Sequence, residues 1–139
     1  MNLACSLELW LEGQTIPPIV KLLGVRLLSA SGGTAMAELP VQKTLFNAMG
    51  SLHGGVFADL ADITIGAAIA SAIEPGELFT TTQLSVSHFA AVRDGKVTAK
   101  AILLRRGRST GFSECELFSS SDVLVAKAYS AVLFFRTES

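Results

Sequence analysis

From Leu52 to Ile73 the chain reads LHGGVFADLADITIGAAIASAI, and no other stretch limits the fold as strongly. Ala, Leu and Ile dominate it, and Gly66 is the only interior residue that opposes a helix. Asp59 and Asp62 stand three apart, and no charge follows from Ile63 to Ile73. A helix of about 20 of these residues is roughly 30 Å long, enough to cross a small domain. Past Asp62 it has no polar face, so most of its circumference must be covered. One buried helix in a chain otherwise rich in strand signals predicts a sheet wrapped around that helix.

The 139 residues suffice for one domain, 1–139, with one core. Half of them are hydrophobic and 17% charged, which excludes a disordered chain. So little charged surface predicts that another subunit covers part of it. Eleven basic and 12 acidic residues give a net charge of -1, which supports neither a nucleic-acid partner nor attraction to a membrane. The run from Ile63 to Ile73 is too short to span a bilayer. The first residues lack the basic segment of a secretory signal. Cys5 and Cys115 make neither a disulfide framework nor a metal set, so free thiols and a cytoplasmic protein are expected.

Along the chain, residues 1–16 read as a short amphipathic helix or a strand, with Trp10 expected to cover a neighbouring surface. Pro18 suits the first position of a short helix, Ile19 to Leu23, ended by Gly24. Val25 to Ala30 and Thr34 to Val41 read as strands around a Ser31-Gly32-Gly33 turn. Residues 42–52 form a connector, and the long helix is expected from Gly54 to about Ile73. Glu74-Pro75-Gly76-Glu77 stops it. Four strands are predicted next: Phe79 to Ala90, Lys96 to Arg106, Thr110 to Ser119 and Val123 to Phe135. Arg93-Asp94-Gly95, Gly107-Arg108-Ser109 and Ser119 to Asp122 are read as the hairpin turns between them, since short loops are cheap in entropy. This order is that of an α+β fold, without repeated strand–helix units.

His53-Gly54-Gly55 precedes the helix, where unpaired N–H groups and the absence of Cβ atoms create a place for an anion or a developing oxyanion. Asp62 lies on an otherwise apolar helix, where a carboxylate is costly unless hydrogen-bonded or at a wet interface. His53 and Asp62 are about 13 Å apart along the axis. They can meet at one substrate only if two subunits cooperate.

The segment Asn47-Ala48-Met49-Gly50-Ser51-Leu52-His53-Gly54-Gly55, followed by Asp62 nine residues after His53, resembles the signature of hotdog-fold acyl-CoA thioesterases. The branch it is most similar to contains phenylacetate-degradation, 4-hydroxybenzoyl-CoA and THEM-type enzymes. The resemblance continues through Gly107 to Glu116 and Leu124 to Ala128, and spans about residues 19–135. It implies a hotdog fold, a curved antiparallel sheet wrapped around one long central helix. It also implies self-association, a dimer at least with a tetramer expected, in which two subunits join their sheets and share each active site. Asp62 would be the catalytic carboxylate, as nucleophile or as general base. Gly54 would offer its N–H to the thioester carbonyl from the other subunit, together with Asn47 and His53. Thr81 would position water, and Asp59 is the rival carboxylate. Arg105, Arg106 and Arg108, with Ser109, are the candidates to hold the phosphates of the acyl-CoA substrate. Phe46, Phe57, Phe79 and Phe89, contributed from two subunits, are expected around the acyl group, and His88 reads as a structural or interface histidine. No cofactor beyond the substrate's CoA, and no metal, is implied. The alternatives are a non-catalytic acyl-CoA-binding protein and a hotdog enoyl-CoA hydratase, whose catalytic Asp–His pair this chain lacks.

Overall fold

The computed structural model describes residues 2–137. Helix α1 (Leu3–Leu11) opens the chain, with Asn2 capping it by accepting from Cys5 N–H. Helix α2 (Pro18–Leu23) starts on proline and ends at Gly24, whose φ of 82° is left-handed. Strands β1 (Arg26–Ser31) and β2 (Thr34–Pro40) form the first hairpin. A 3-10 turn, Lys43–Leu45, leads to helix α3 (Gly54–Ala70). Strands β3 (Glu77–His88), β4 (Lys96–Arg106), β5 (Thr110–Phe118) and β6 (Leu124–Arg136) complete the chain.

The strands form a six-stranded antiparallel sheet in the order β1-β2-β4-β5-β6-β3, and α3 packs against all of them. This is the α+β hotdog architecture. Its packing follows from side-chain size. The sheet turns Ala37, Ala99, Ala126 and Ala128 toward the helix, and the helix answers with Ala61, Ala67 and Ala68, all buried. Small residues on both surfaces permit close approach, while Leu60, Ile65 and Ile69 fill the remaining space. Thr64, with no exposed surface, donates to Leu60 O at 2.6 Å, so its hydroxyl is satisfied inside the helix. Among the described residues, no helix is long and apolar enough to cross a membrane.

The helix ends at Ala70 rather than near Ile73. Ser71 Oγ donates to Ala68 O at 2.6 Å and accepts from Gly33 N–H at 2.9 Å, which ties the helix end to the β1–β2 turn. The reading of Arg93-Asp94-Gly95 as a hairpin turn is overturned. β3 pairs with β6, whereas β4 lies between β2 and β5. Residues 89–95 instead cross from one side of the sheet to the other and are held on the way. Phe89 N–H donates to Val125 O, Leu52 N–H to Val92 O, and Val41 N–H to Gly95 O. A local hairpin would be cheaper in loop entropy, but the apolar helix needs cover on both sides, and the long β3–β6 ladder supplies it.

At the start of β3 a small cluster fixes the strand. Glu77 pairs with Arg106, whose guanidinium carbon lies 3.6 Å from the centre of the Phe134 ring. Gly111 is required beneath that ring, because a Cβ there would come within 2.7 Å of Phe134 Cε2. Cys5 is exposed and Cys115 buried, both as free thiols. Burial pushes the Cys115 thiol up to about 12.

The hydrogen bond from Arg106 holds the Glu77 carboxyl below its ordinary value of 4.5, against the opposing effect of burial. Because the folded value is the lower one, this stabilisation is complete above about pH 4.5 and is lost as pH falls through the folded value. Glu77→Gln should therefore destabilise the protein by about 1–2 kcal/mol at neutral pH, between the values for exposed and buried pairs. Thermal melts of wild type and variant should draw together as pH falls from 4.5 through the lower folded value; a difference independent of pH would assign the loss to packing instead.

Candidate active site

The connector before α3 is organised by Asn47. Its Oδ1 accepts from Met49 N–H at 2.9 Å and Ser51 N–H at 3.2 Å, and its Nδ2 donates to Ser51 Oγ at 3.1 Å. Asn47 N–H closes the loop onto Ser51 O, and His53 N–H donates to Leu45 O. This small closed loop delivers His53 to the N-cap of α3.

The first turn of α3 is clamped by two histidines. His53 Nδ1 accepts from Gly55 N–H at 2.9 Å, so in this arrangement Nδ1 carries no proton and Nε2–H is the group left to donate. His88, at the end of β3, donates Nε2–H to Gly54 O at 3.1 Å and stands edge-on to Phe57. The peptide between Gly54 and Gly55 is thus held at its oxygen and at its nitrogen. Val56 N–H is taken by His53 O. Gly54 N–H remains without an acceptor among the described residues, as the first donor of a helix does when nothing caps it. Both glycines have steric reasons. A Cβ on Gly55 would stand 3.0 Å from His53 Nδ1, and one on Gly54 would stand 3.3 Å from His88 Nε2.

Asp62 faces a different neighbourhood. Thr81 Oγ1 donates to Asp62 Oδ1 at 3.0 Å. A bulge between Thr81 and Gln83 singles out that threonine, turning it toward α3 while Thr82 donates to Ala131 O. Asp59 is more exposed than Asp62. Burial, and then the neighbouring Asp62 charge, push its carboxyl up, and His53 opposes the shift.

Two cavities divide these groups. One, about 350 Å³, is bordered by Asn47, Gly54, Phe57, His88 and Phe89. The other, about 400 Å³, holds Asp62 and Thr81 at its polar margin, with Gly66, Ala67 and Phe79 beyond them. Its opposite wall comes from α1, through Leu3, Leu7 and Trp10, and from Ile16 and Pro18 in the following segment. Of the four phenylalanines expected around an acyl group held between two subunits, three divide between these cavities. Phe79 alone accompanies Asp62, Phe57 and Phe89 border the Gly54 cavity, and Phe46 borders neither. Sequence reasoning missed α1 as a wall; the signal available was the spacing of Leu3, Leu7 and Trp10 on one helical face.

Of the arginines, Arg106 is committed within the fold, to Glu77 and to Gly107 O. Arg105, Arg108 and Ser109 are exposed at the tip of the β4–β5 hairpin.

A long central helix wrapped in a curved antiparallel sheet defines the hotdog class of proteins. Within that class, residues 49–126 match the family described as Thioesterase superfamily, and the chain belongs to it. It is 30% identical over 103 residues to the 1,4-dihydroxy-2-naphthoyl-CoA hydrolase of Listeria monocytogenes, covering 74% of this chain and 84% of that protein. It is 27% identical to human acyl-coenzyme A thioesterase 13 over 67% of this chain and 66% of that one. Among solved structures, a conserved Pseudomonas aeruginosa protein matches with a TM-score of 0.83 and 31% identity, over 88% of this chain and 98% of that one. The PaaI protein of the E. coli phenylacetic acid degradation operon shares the fold, with a TM-score of 0.84 at 22% identity over 98% and 94% of the two chains.

The cap gives the first test of this geometry. His53→Ala should lower stability by about 1 kcal/mol through loss of the N-cap acceptor, and His53→Asn should recover most of it, since Asn is a preferred cap. Denaturant midpoints measure both; equal loss in the two variants would exclude capping as the reason.

Proposed function

We propose that the protein hydrolyses an acyl-CoA thioester to the free acid and CoA, at a site assembled from two subunits. The observation that carries this reading is the position of both half-sites on one edge strand. Thr81, bonded to Asp62, lies near the middle of β3, and His88, bonded to Gly54, is its last residue. They are about 23 Å apart at ~3.3 Å per residue. β3 pairs only with β6, so its outer edge is open among the described residues, and an open edge is a template for another strand. Antiparallel pairing of two β3 strands about a midpoint near Leu84 would bring Thr81 of one beside His88 of the other. Each of the two sites then receives Asp62 and Thr81 from one subunit, and Gly54, His53 and Asn47 from its partner. A further pairing of such dimers would make the tetramer.

In that site Gly54 N–H polarises the thioester carbonyl, favoured by the helix N-terminus, while the two histidines hold the adjoining Gly54–Gly55 peptide. Asp62 begins the attack, either directly on the carbonyl carbon or by taking a proton from water, with Thr81 holding the carboxylate or the water. Both routes consume one water and release the CoA thiol and the acid. The names of the Listeria and human relatives support CoA as the leaving group. The Arg106–Glu77 pair sets the β4–β5 hairpin at the start of β3, where Arg105, Arg108 and Ser109 can meet phosphate.

Asp62→Asn should lower kcat by about 10²–10⁴-fold with little change in binding, whereas Asp59→Asn should change turnover only modestly. Hydrolysis assays on the two variants, with isothermal titration of a non-hydrolysable acyl-CoA analogue, decide between them; full activity of D62N ends the mechanism. Sharing of the site is tested by mixing D62N subunits with subunits carrying Gly54→Val. Half of random dimers are mixed, and each holds one intact site of two, so about a quarter of wild-type activity should return. No recovery on mixing would place the whole site in one chain.

For the phosphates, Arg105→Ala or Arg108→Ala should raise KM more than it lowers kcat, because contacts remote from the reacting carbon bind ground and transition states alike. Arg106→Ala should act through stability. Unchanged KM in both R105A and R108A would move the phosphate site elsewhere.

A further inference from the structure

Gly66 lies inside α3, one turn beyond Asp62 on the same face and one turn before the helix ends. Glycine is the poorest helix former after proline, and nothing in the protein's own packing asks for it here. Its φ lies outside the left-handed region, and a Cβ would meet only Phe79 Cζ, at an ordinary 3.7 Å. That distinguishes it from Gly54, Gly55 and Gly111, where a Cβ meets neighbours at 3.3 Å or less. Alanine at 66 would thus fit the fold and favour the helix. What it would reduce is the cavity that carries Asp62 and Thr81.

We propose that Gly66 is a specificity-determining residue that keeps this cavity wide next to the reacting carbon. The class it admits is acyl groups carrying bulk at the first carbons beyond the thioester carbonyl, such as a ring or a branch. The inference rests on the reading of Asp62 as the reacting carboxylate. One helical turn, about 5.4 Å, separates Asp62 from Gly66. An acyl group whose carbonyl lies at Asp62 therefore passes over Gly66 before it reaches Ala67 and Trp10. The whole cavity, about 400 Å³, holds more than a single ring, since an apolar cavity of about 150 Å³ already takes benzene. The width beside Asp62, rather than the total volume, decides what enters, and a Cβ at 66, seated against Phe79 Cζ at 3.7 Å, would stand out from the wall these two residues share.

The test compares wild type, Gly66→Ala and the double variant Gly66→Ala/Phe79→Leu on acetyl-, hexanoyl-, phenylacetyl- and benzoyl-CoA. In G66A the ratio of kcat/KM for benzoyl- and phenylacetyl-CoA to that for acetyl-CoA should fall at least tenfold, the lower end of what one methylene decides in an apolar pocket. The melting temperature should rise by about 3 °C. Trimming Phe79 in the double variant should restore part of the ratio. A uniform change across the four substrates, or a fall in stability with no change in ratio, overturns the proposal. Binding of acetonyl-CoA and phenacyl-CoA, which cannot be hydrolysed, provides a readout independent of turnover. If wild type hydrolyses nothing but binds phenacyl-CoA, and G66A loses that binding selectively, the catalytic reading fails while the role of Gly66 stands. If neither analogue binds wild type, the role of Gly66 falls as well.

Discussion

An α-helix without a polar side past its third turn is unstable in water unless something encloses it, and the rest of this structure answers that requirement. α3 has ten buried residues from Val56 to Ala70, distributed around its circumference. No single flat partner can cover them, so the sheet must curve. The alanines of β2, β4 and β6 allow that curvature to close on the helix without opening voids. The crossover of residues 89–95 follows from the same demand, because β3 must lie on the far side of β6 before the chain returns to β4.

Much of this was legible in sequence, for physical reasons. The uncharged run after Asp62 announced a buried helix, glycine-marked turns announced the hairpins at residues 32 and 107, and the polar run Ser119 to Asp122 announced the third. Strand pairing was legible only where the partners are neighbours in sequence. The β3–β6 ladder joins segments separated by β4 and β5, and no local residue records such a pairing. The spacing of His53 and Asp62 pointed to two half-sites but could not show that β3 carries a contact to each. His88 was read as a structural or interface histidine, but its partner, Gly54 O, lies 34 residues away in the chain and no local pattern names it. α1 could be drawn as a helix, but its use as a cavity wall depends on where α3 lies.

The three glycines of α3 illustrate how one residue type serves separate ends. Gly55 makes room for the His53 ring that caps the helix, and Gly54 makes room for the His88 ring that holds its carbonyl. Both serve the rigidity of the helix start, where the Gly54–Gly55 peptide is held at both its oxygen and its nitrogen. Gly66 weakens the helix and makes room for something the protein itself does not contain. Rigid placement at one end and retained space along the body are what binding and reaction ask of a single element.

The contrast between the two cysteines bears on how such a protein can be observed. Hydrolysis of a thioester releases a thiol, and reagents that count thiols react with the thiolate. Cys115 has no exposed surface, and burial raises its thiol to about 12, so at neutral pH it is silent to those reagents. Cys5 alone contributes a background, of one equivalent per chain, and it sits on α1, the wall of the Asp62 cavity. A label attached at that single position reports the movement of the wall without disturbing the sheet, so the folded chain already carries a chemical handle beside its candidate binding cavity.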